Sequence, residues 1–144
     1  MDNNVSMVGQ LDITLTDAHN NIKLHTVVPN LVVATGKDFL AKLLNQDSVP
    51  AMSHMALGEG TTAANAADVA LVDEIARIAI DSQTRTDASV TFSTVYGPGV
   101  VGSFTEAGIF NDDTAGTMLC RTVYGVITKT DTDFLTINWT VTVG

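Results

Sequence analysis

The strongest constraint on the fold is a strict two-residue alternation near the end of the sequence. Between residues 134 and 143 an apolar side chain recurs at every second position: Leu135, Ile137, Trp139, Val141 and Val143. Threonines and one asparagine occupy the positions between them. Because successive side chains of a β-strand point to opposite faces of a sheet, this pattern predicts a strand with one buried and one solvated face. We expect Trp139, in the middle of the apolar row, to lie in the core.

The same kind of pattern recurs through the rest of the chain and predicts a mainly β protein. Residues 5–15 alternate, residues 22–28 again resemble a strand, and the polar stretch between them predicts a hairpin turn. Turns rich in Gly, Asp, Asn or Thr separate further predicted strands at 52–57, 89–96, 103–110 and 117–128. Strands at this spacing are typical of an antiparallel β-sandwich or a partly closed barrel.

One segment has a helical period instead. Residues 35–44 place an apolar stripe on one face of a helix, formed by Phe39, Leu40, Leu43 and Leu44. Thr35 is the predicted N-cap of this helix. Phe39 and Leu43 are expected to join Trp139 in the core. The fold prediction is therefore mainly β with one or two short helices.

The length of the chain and two less regular segments define the expected domain organisation. A chain of 144 residues can bury roughly two-thirds of its surface, so we expect one β domain over residues 1–144, with a mobile N-terminus. Residues 58–67 form a long stretch of small residues, expected to be a loop that orders only on contact with a neighbour. Residues 68–80 fit a helix or a strand, and we favour a helical turn at 68–74 followed by a strand.

Net charge and hydropathy exclude several classes of function. The chain has 16 acidic and 7 basic residues, a formal net charge of −9, and its basic residues are scattered singly. A phosphate-binding surface needs a concentrated Lys and Arg footprint, so we expect no direct binding to nucleic acid or to an anionic membrane. No apolar run approaches the ~20 residues of a membrane span and no secretory signal is visible, so a soluble chain made in the cytoplasm is expected.

The residues that carry chemistry in enzymes are sparse. The single cysteine, Cys120, lies in an apolar run and is predicted to be a buried, unreactive thiol without an intramolecular disulfide. His19, His25 and His54 are too far apart to form a recognisable metal motif, and no serine-nucleophile or phosphate-loop motif is present. We therefore predict no catalytic residue, no cofactor, no metal site and no enzymatic activity.

Four charged residues interrupt apolar sequence and are the candidate site residues: Glu74, Arg77, Glu106 and Arg121. Each either faces solvent or is compensated, because an unpaired buried charge is costly. The negative charges of the two glutamates equal the positive charges of the two arginines. We predict that at least one pair, Glu106 with Arg121 or Glu74 with Arg77, is in direct contact and substantially buried, fixing the register of neighbouring strands. The alternatives are that these four charged side chains lie exposed to solvent, or that one of the carboxylates is catalytic.

Several short strings, taken in order, carry a resemblance that spans almost the whole chain. They are NLVVATGKDFL at 30–40, MSHMALGEGTT at 52–62, ALVDEIAR at 70–77, TEAGIFN at 105–111, GTMLCRT at 116–122, TK at 128–129 and LTINWTV at 135–141. In this order they are similar to a group of small structural proteins of tailed bacteriophages. Related sequence also resembles the N-terminal modules of tail-collar fibre proteins. The resemblance implies a virion protein whose functional residues are interface residues.

The resemblance allows two locations on the virion. The chain begins at a plausible initiator Met1 and ends at Gly144 directly after the last predicted strand, which leaves no room for a fibre shaft. This favours a capsid decoration, or cement, protein that binds the major capsid protein on the outer surface of the head. The alternative is a tail collar or fibre-associated module.

Two further expectations concern assembly and chemistry. We expect a homo-oligomer, with a trimer favoured, because exposed edge strands and a small-residue loop suit pairing between copies. A hydrolase or ligand-binding β domain carried on a virion is a third hypothesis. It would need a pocket with convergent polar groups, for which the sequence offers no residues.

Overall fold

The computed structural model describes residues 6–144, and in that part of the chain it contains nine strands and one helix. The strands are β1 (Met7–Thr16), β2 (Ile22–Val32), β3 (His54–Gly58), β4 (Glu74–Ala79), β5 (Ser82–Thr86), β6 (Ser89–Tyr96), β7 (Gly102–Phe110), β8 (Met118–Lys129) and β9 (Phe134–Val143). The helix, α1, is Ala34–Leu44. The predicted hairpin is confirmed, since β1 and β2 pair antiparallel, and β9 has the bounds that its alternation predicts.

The nine strands form one antiparallel sheet in the order β4-β3-β7-β8-β2-β1-β9-β6-β5. The sheet curls into a half-barrel, which confirms the predicted mainly β, partly closed fold. Strand β2 joins the two halves of the sheet, because it pairs with β1 along most of its length and with β8 only at Leu31 and Val32. Strands β4 and β5 are the two edge strands, at opposite ends of the sheet. They follow each other almost directly in the sequence, so one segment of chain forms both edges.

The core lies inside the curl and is built from the apolar rows of both halves. Leu11 faces Trp139 and Ile13 faces Ile137 in the register of β1 and β9, and these side chains belong to one cluster with residues of β3 and β7. Trp139 is fully buried, as predicted, and its Nε1 donates to Asn30 Oδ1 at 3.1 Å. A buried aromatic of this size usually has such a partner for its polar atom.

Helix α1 begins differently from the prediction. Its N-cap is Val33, which has an extended backbone and makes no side-chain cap, so the prediction of Thr35 as N-cap is wrong. Thr35 lies in the first turn, and its hydroxyl donates to the Met118 carbonyl at 2.8 Å. Gly36 is buried against the backbone of Leu119. A side chain there would hold the helix away from β8, so glycine permits the contact that gives Thr35 a strand carbonyl as acceptor.

Only part of the apolar stripe of α1 is buried in the core. Phe39 is buried in the main core, as predicted. Leu43 is 45% exposed and Leu44 is 87% exposed, so the placement of Leu43 in the core is wrong. The physical reason is that the stripe continues past the rim of the half-barrel, where no element of residues 6–144 covers it.

Two other expectations fail or fall outside the described part of the chain. Residues 68–73 are irregular and contain only bends, and no helical turn forms at 68–74. The strand expected after it is present as β4 and continues as β5. The mobile N-terminus and the alternating position Val5 lie outside residues 6–144.

Candidate functional site

Glu106 and Arg121 form a buried ion pair between β7 and β8. Arg121 Nη2 and Nε donate to Glu106 Oε2 at 2.7 Å and 3.0 Å, and both side chains are fully buried. The expected contact is therefore present. The two strands pair antiparallel, with Glu106 opposite Val123 and Gly108 opposite Arg121. The two charges lie diagonally across neighbouring strands, within reach of each other.

The pair also binds the backbone of the segment between β3 and β4, residues 59–73, which we call the anchored loop. Glu106 Oε1 accepts from the backbone N–H of Asp73 at 2.8 Å and of Gly60 at 3.2 Å, and Oε2 accepts from Val72 N–H at 3.1 Å. A Cβ at Gly60 would lie 2.7 Å from Oε1, so only glycine permits this approach. The carboxylate thus accepts from both ends of the loop.

Arg121 completes the attachment of the anchored loop. Its Nη2 donates to the Thr62 carbonyl, and its Nη1 to Asp68 Oδ2, each at 2.9 Å. The loop in turn caps the helix, because Ala34 N–H donates to the Ala66 carbonyl at 2.8 Å. The expectation that this loop orders only on contact with a neighbour is wrong, since contacts within the chain already fix it.

The electrostatics of Glu106 suit a fixed charge. Burial alone would raise the pKa of its carboxyl, but the hydrogen bonds from the Asp73 backbone, the Arg121 guanidinium and the Val72 backbone outweigh it and lower the pKa. The carboxylate therefore stays ionised at neutral pH. An ionised carboxylate whose oxygens both accept hydrogen bonds can hold the loop as a fixed charge.

Glu74 and Arg77 form the second expected pair. Arg77 Nη2 donates to Glu74 Oε1 at 2.6 Å, and the Arg77 side chain is largely buried over the ring of Phe110, 3.7 Å from its centroid. Arg77 Nη1 also donates to the carbonyls of Asp112 and Ala115, at 3.0 Å and 2.9 Å. This arginine therefore holds the turn between β7 and β8, as Arg121 holds the anchored loop.

A third cation of this kind, Lys129, was not predicted from the sequence. Its side chain is buried, and Nζ donates to the carbonyls of Gly97 and Val100 at 2.6 Å each. Burial lowers the pKa of this amine. The sequence does indicate this burial. Lys129 lies two residues after the apolar Ile127, so both side chains are on the same face of β8.

Asp133 gives the fold a pH dependence that can be measured. Backbone and side-chain hydrogen bonds from Thr130, together with Lys23 at 2.9 Å, lower the pKa of Asp133 from its ordinary value of 3.8 to about 2. Because the folded-state pKa is depressed, the stability that ionised Asp133 contributes is present above its ordinary pKa and is lost as pH falls towards 2. We expect Asp133→Asn to melt below wild type at neutral pH, and the difference to shrink as the pH falls through this window.

Thermal melting between neutral and acid pH checks this prediction. Asp131→Asn, an exposed neighbour in the same turn, is the matched control and should follow the wild-type curve. Parallel melting curves for Asp133→Asn and wild type across the acid window would contradict the prediction.

The anchored loop presents apolar side chains to solvent. Leu71 packs inward against Val33 and Phe110. Val69, Val72 and the adjoining Ile75 of β4 are 63%, 57% and 46% exposed. Because the ion pair holds the Val72 and Asp73 amides, these side chains project from a fixed backbone. Exposed apolar groups on a fixed loop are typical of a protein-binding surface.

A second surface is the outward face of β1, β9, β6 and β5, which we call the hydroxyl face. Rows of side chains cross these strands in register, two of them being Gln10–Thr140–Thr91–Thr84 and Asp12–Asn138–Ser93–Ser82. Neighbours on β6 and β9 are bonded to each other, with Thr91 Oγ1 2.9 Å from Thr140 Oγ1, and Ser93 Oγ donating to Asn138 Oδ1 at 2.7 Å. Asp12 is the only charged side chain in these two rows, and it lies 2.9 Å from His25 Nε2.

Comparisons with known proteins add no assignment: no protein-family model, curated protein or solved structure matches the chain. Among the described residues, no group of three His, Cys, Asp or Glu side chains is arranged to hold a metal ion. The helix of residues 6–144 is too short to cross a bilayer. Cys120 is buried, and burial raises the pKa of its thiol.

Proposed function

We propose that the chain is a non-enzymatic structural protein of a phage virion, a capsid decoration or cement protein that binds the major capsid protein on the outer shell and stabilises the head. The sequence resemblance supplies the class of protein. The observation in the structure that carries the proposal is the hydroxyl face, a broad and nearly charge-free surface on a chain of net charge −9.

The chemistry of this face suits docking against another protein. The central parts of protein interfaces are depleted of Lys, Glu and Asp, because removing a charge from water is costly. On the hydroxyl face the hydroxyl groups of Thr91, Thr140 and Ser93 already have partners within the sheet. Excluding water from them therefore costs less than excluding it from the charged turns of the molecule.

The size of the face suits a contact that is repeated many times. With strands about 4.8 Å apart and a rise of about 3.4 Å per residue, four strands of roughly seven residues cover about 460 Å². A stable interface buries about 800 Å² per partner, so one copy would bind weakly. Copies joined to each other would bind far more tightly through avidity. A homo-oligomer, with a trimer favoured, is part of this proposal.

A charge placed on the hydroxyl face tests the proposal directly. We expect Thr140→Lys to bind undecorated heads of the encoding phage at least about tenfold more weakly than wild type, because it buries an unpaired charge at the contact. Thr128→Lys, at an exposed position of β8, is the matched control and should bind like wild type. Co-sedimentation with purified heads measures both, and equal binding of the two variants would contradict the proposal.

The location on the virion is tested by copy number. Quantitative mass spectrometry of purified particles should find on the order of hundreds of copies if the chain covers the head, because head proteins follow the symmetry of the shell. A few copies, up to dozens, would favour the alternative of a tail collar or fibre-associated module.

A further inference from the structure

An apolar groove lies beside the C-terminal half of α1. It has a volume of about 230 Å³, and almost all of its lining is apolar, including Leu40 and Leu43 of the helix with Val90 and Val143 of the sheet. At about 30 Å³ per water molecule this is room for roughly seven waters, which is more than one aliphatic side chain. The exposed Leu43 and Leu44 extend the apolar surface at its rim.

Three of the seven basic residues lie around this groove: Lys37 and Lys42 on α1, and Arg85 on β5, whose register partner Val90 lines the groove. The contacts of Lys42 and Arg85 are local, to Asp38 and to the Asp87 carbonyl. The other four basic residues bind distant parts of the chain: Lys23, Arg77, Arg121 and Lys129. Lys37 lines the adjoining depression together with Leu40 and Val143.

Acidic residues also lie at this end of the molecule, and they offset the cations. Lys42 pairs with Asp38 at 3.0 Å, and Asp47 and Asp87 lie nearby in the sequence. The surroundings of the groove are therefore close to neutral on a chain of net charge −9. An acidic partner meets less repulsion here than elsewhere on the surface.

The anchored loop has the complementary chemistry. Val69 and Val72 project from it beside Ile75 of β4, and Asp73 and Glu74 lie between Val72 and Ile75. Within one copy the loop meets the start of α1, where Leu71 is packed, whereas the groove lies along the other half of the helix. Because the buried ion pair fixes the loop there, only the loop of a second copy has the freedom to enter the groove.

We infer that the anchored loop of one copy docks in the α1 groove of the next, with Val72 as the central apolar contact and Asp73 facing Lys37. The contact uses different surfaces on the two copies, so it is head-to-tail and closes into a ring where the rotation allows. This inference does not depend on the hydroxyl face or on shell binding. It assigns the buried Glu106–Arg121 pair the role of presenting the docking loop.

The state of association tests this inference, with one variant on each side of the contact. Val72→Asp and Leu43→Asp each place a charge at the apolar contact, and each is expected to weaken self-association by at least roughly 30-fold, the loss typical of a hot-spot side chain. Lys37→Glu, an exposed change that leaves the core untouched, should weaken it too. Val126→Asp, at an exposed valine of β8, is the matched control and should associate like wild type. Sedimentation velocity measures all four, and melting curves establish that each variant folds.

Mixing the two variants separates a head-to-tail contact from a symmetric one. Val72→Asp keeps an intact groove and Leu43→Asp keeps an intact loop, so an equimolar mixture should form a dimer that neither variant forms alone. A wild-type chain that stays monomeric at its highest soluble concentration would overturn the inference. So would variants that associate like wild type, or a mixture that forms no dimer. These outcomes test the contact between copies, on which the avidity of shell binding depends, whereas the Thr140→Lys experiment tests the hydroxyl-face contact itself.

Discussion

Trp139→Ala is expected to cost roughly 3–5 kcal/mol of unfolding free energy and to leave little folded protein at physiological temperature. Trp139 is among the largest fully buried side chains, and it lies where β1, β9 and β6 meet, opposite Leu11 and Phe92. Truncation would leave a cavity between the two halves of the sheet. The surrounding strands are bonded on both sides and have little freedom to collapse into it.

The matched control for this variant is Trp139→Phe. It keeps an aromatic ring but loses the indole N–H that donates to Asn30 Oδ1, so we expect a smaller loss, of about 1–3 kcal/mol. Urea denaturation followed by circular dichroism measures both variants. A Trp139→Ala protein with a near-wild-type midpoint would show that the tryptophan does not support the core.

Removing one partner of the Glu106–Arg121 pair is expected to cost about 3–5 kcal/mol, because the other charge is left buried without its counterion. In a double-mutant cycle with Glu106→Gln and Arg121→Met, the combined loss should be smaller than the sum of the single losses by roughly 1–3 kcal/mol. The double variant should still be less stable than wild type. The Gly60, Val72 and Asp73 amides that Glu106 accepts from would lack their charged acceptor.

The exposed pair Asp38–Lys42 on α1 is the matched control for the cycle. It has a similar distance, 3.0 Å, but both side chains are largely solvated, so its coupling should be only about 0.3–0.5 kcal/mol. Hydrogen exchange gives a second measurement, because the Gly60, Val72 and Asp73 amides should exchange faster in Arg121→Met. Additive losses at Glu106 and Arg121, with unchanged exchange in the loop, would mean that the pair does not hold the loop.

The sequence predicts those parts of the fold that depend on local pattern. Strand β9 has the expected bounds because the alternation of Trp139 and its neighbours reflects one buried and one solvated face. Charge balance likewise predicts the Glu106–Arg121 contact, because a buried charge requires compensation. In both cases the structure follows from the chemical character of the residues themselves, apolar in the alternating row of β9 and charged at Glu106 and Arg121.

The parts that the sequence does not predict depend on partners distant in the chain. Thr35 looks like a cap by residue type, yet its hydroxyl binds the Met118 carbonyl because Gly36 brings the helix against β8. Residues 58–67 look unstructured because their own side chains are small. Their order comes from Glu106 and Arg121, more than forty residues away in the sequence. The position of Leu43 in the helical apolar stripe is typical of a core residue, but no described element covers it.

The pairing of β1 with β9 has a consequence for how the chain folds during synthesis. These two strands are neighbours in the middle of the sheet although they are the first and the last described strands, and Ser6 and Gly144 exchange backbone hydrogen bonds. Until β9 leaves the ribosome, the apolar faces of β1 and β6 have no strand between them. Long-range pairing of this kind is slow, and until it forms it leaves unpaired strand edges exposed, which promote aggregation. A chain made only as far as β8 therefore exposes the edges of β1 and β6 that β9 pairs with, and these edges are where we expect it to aggregate.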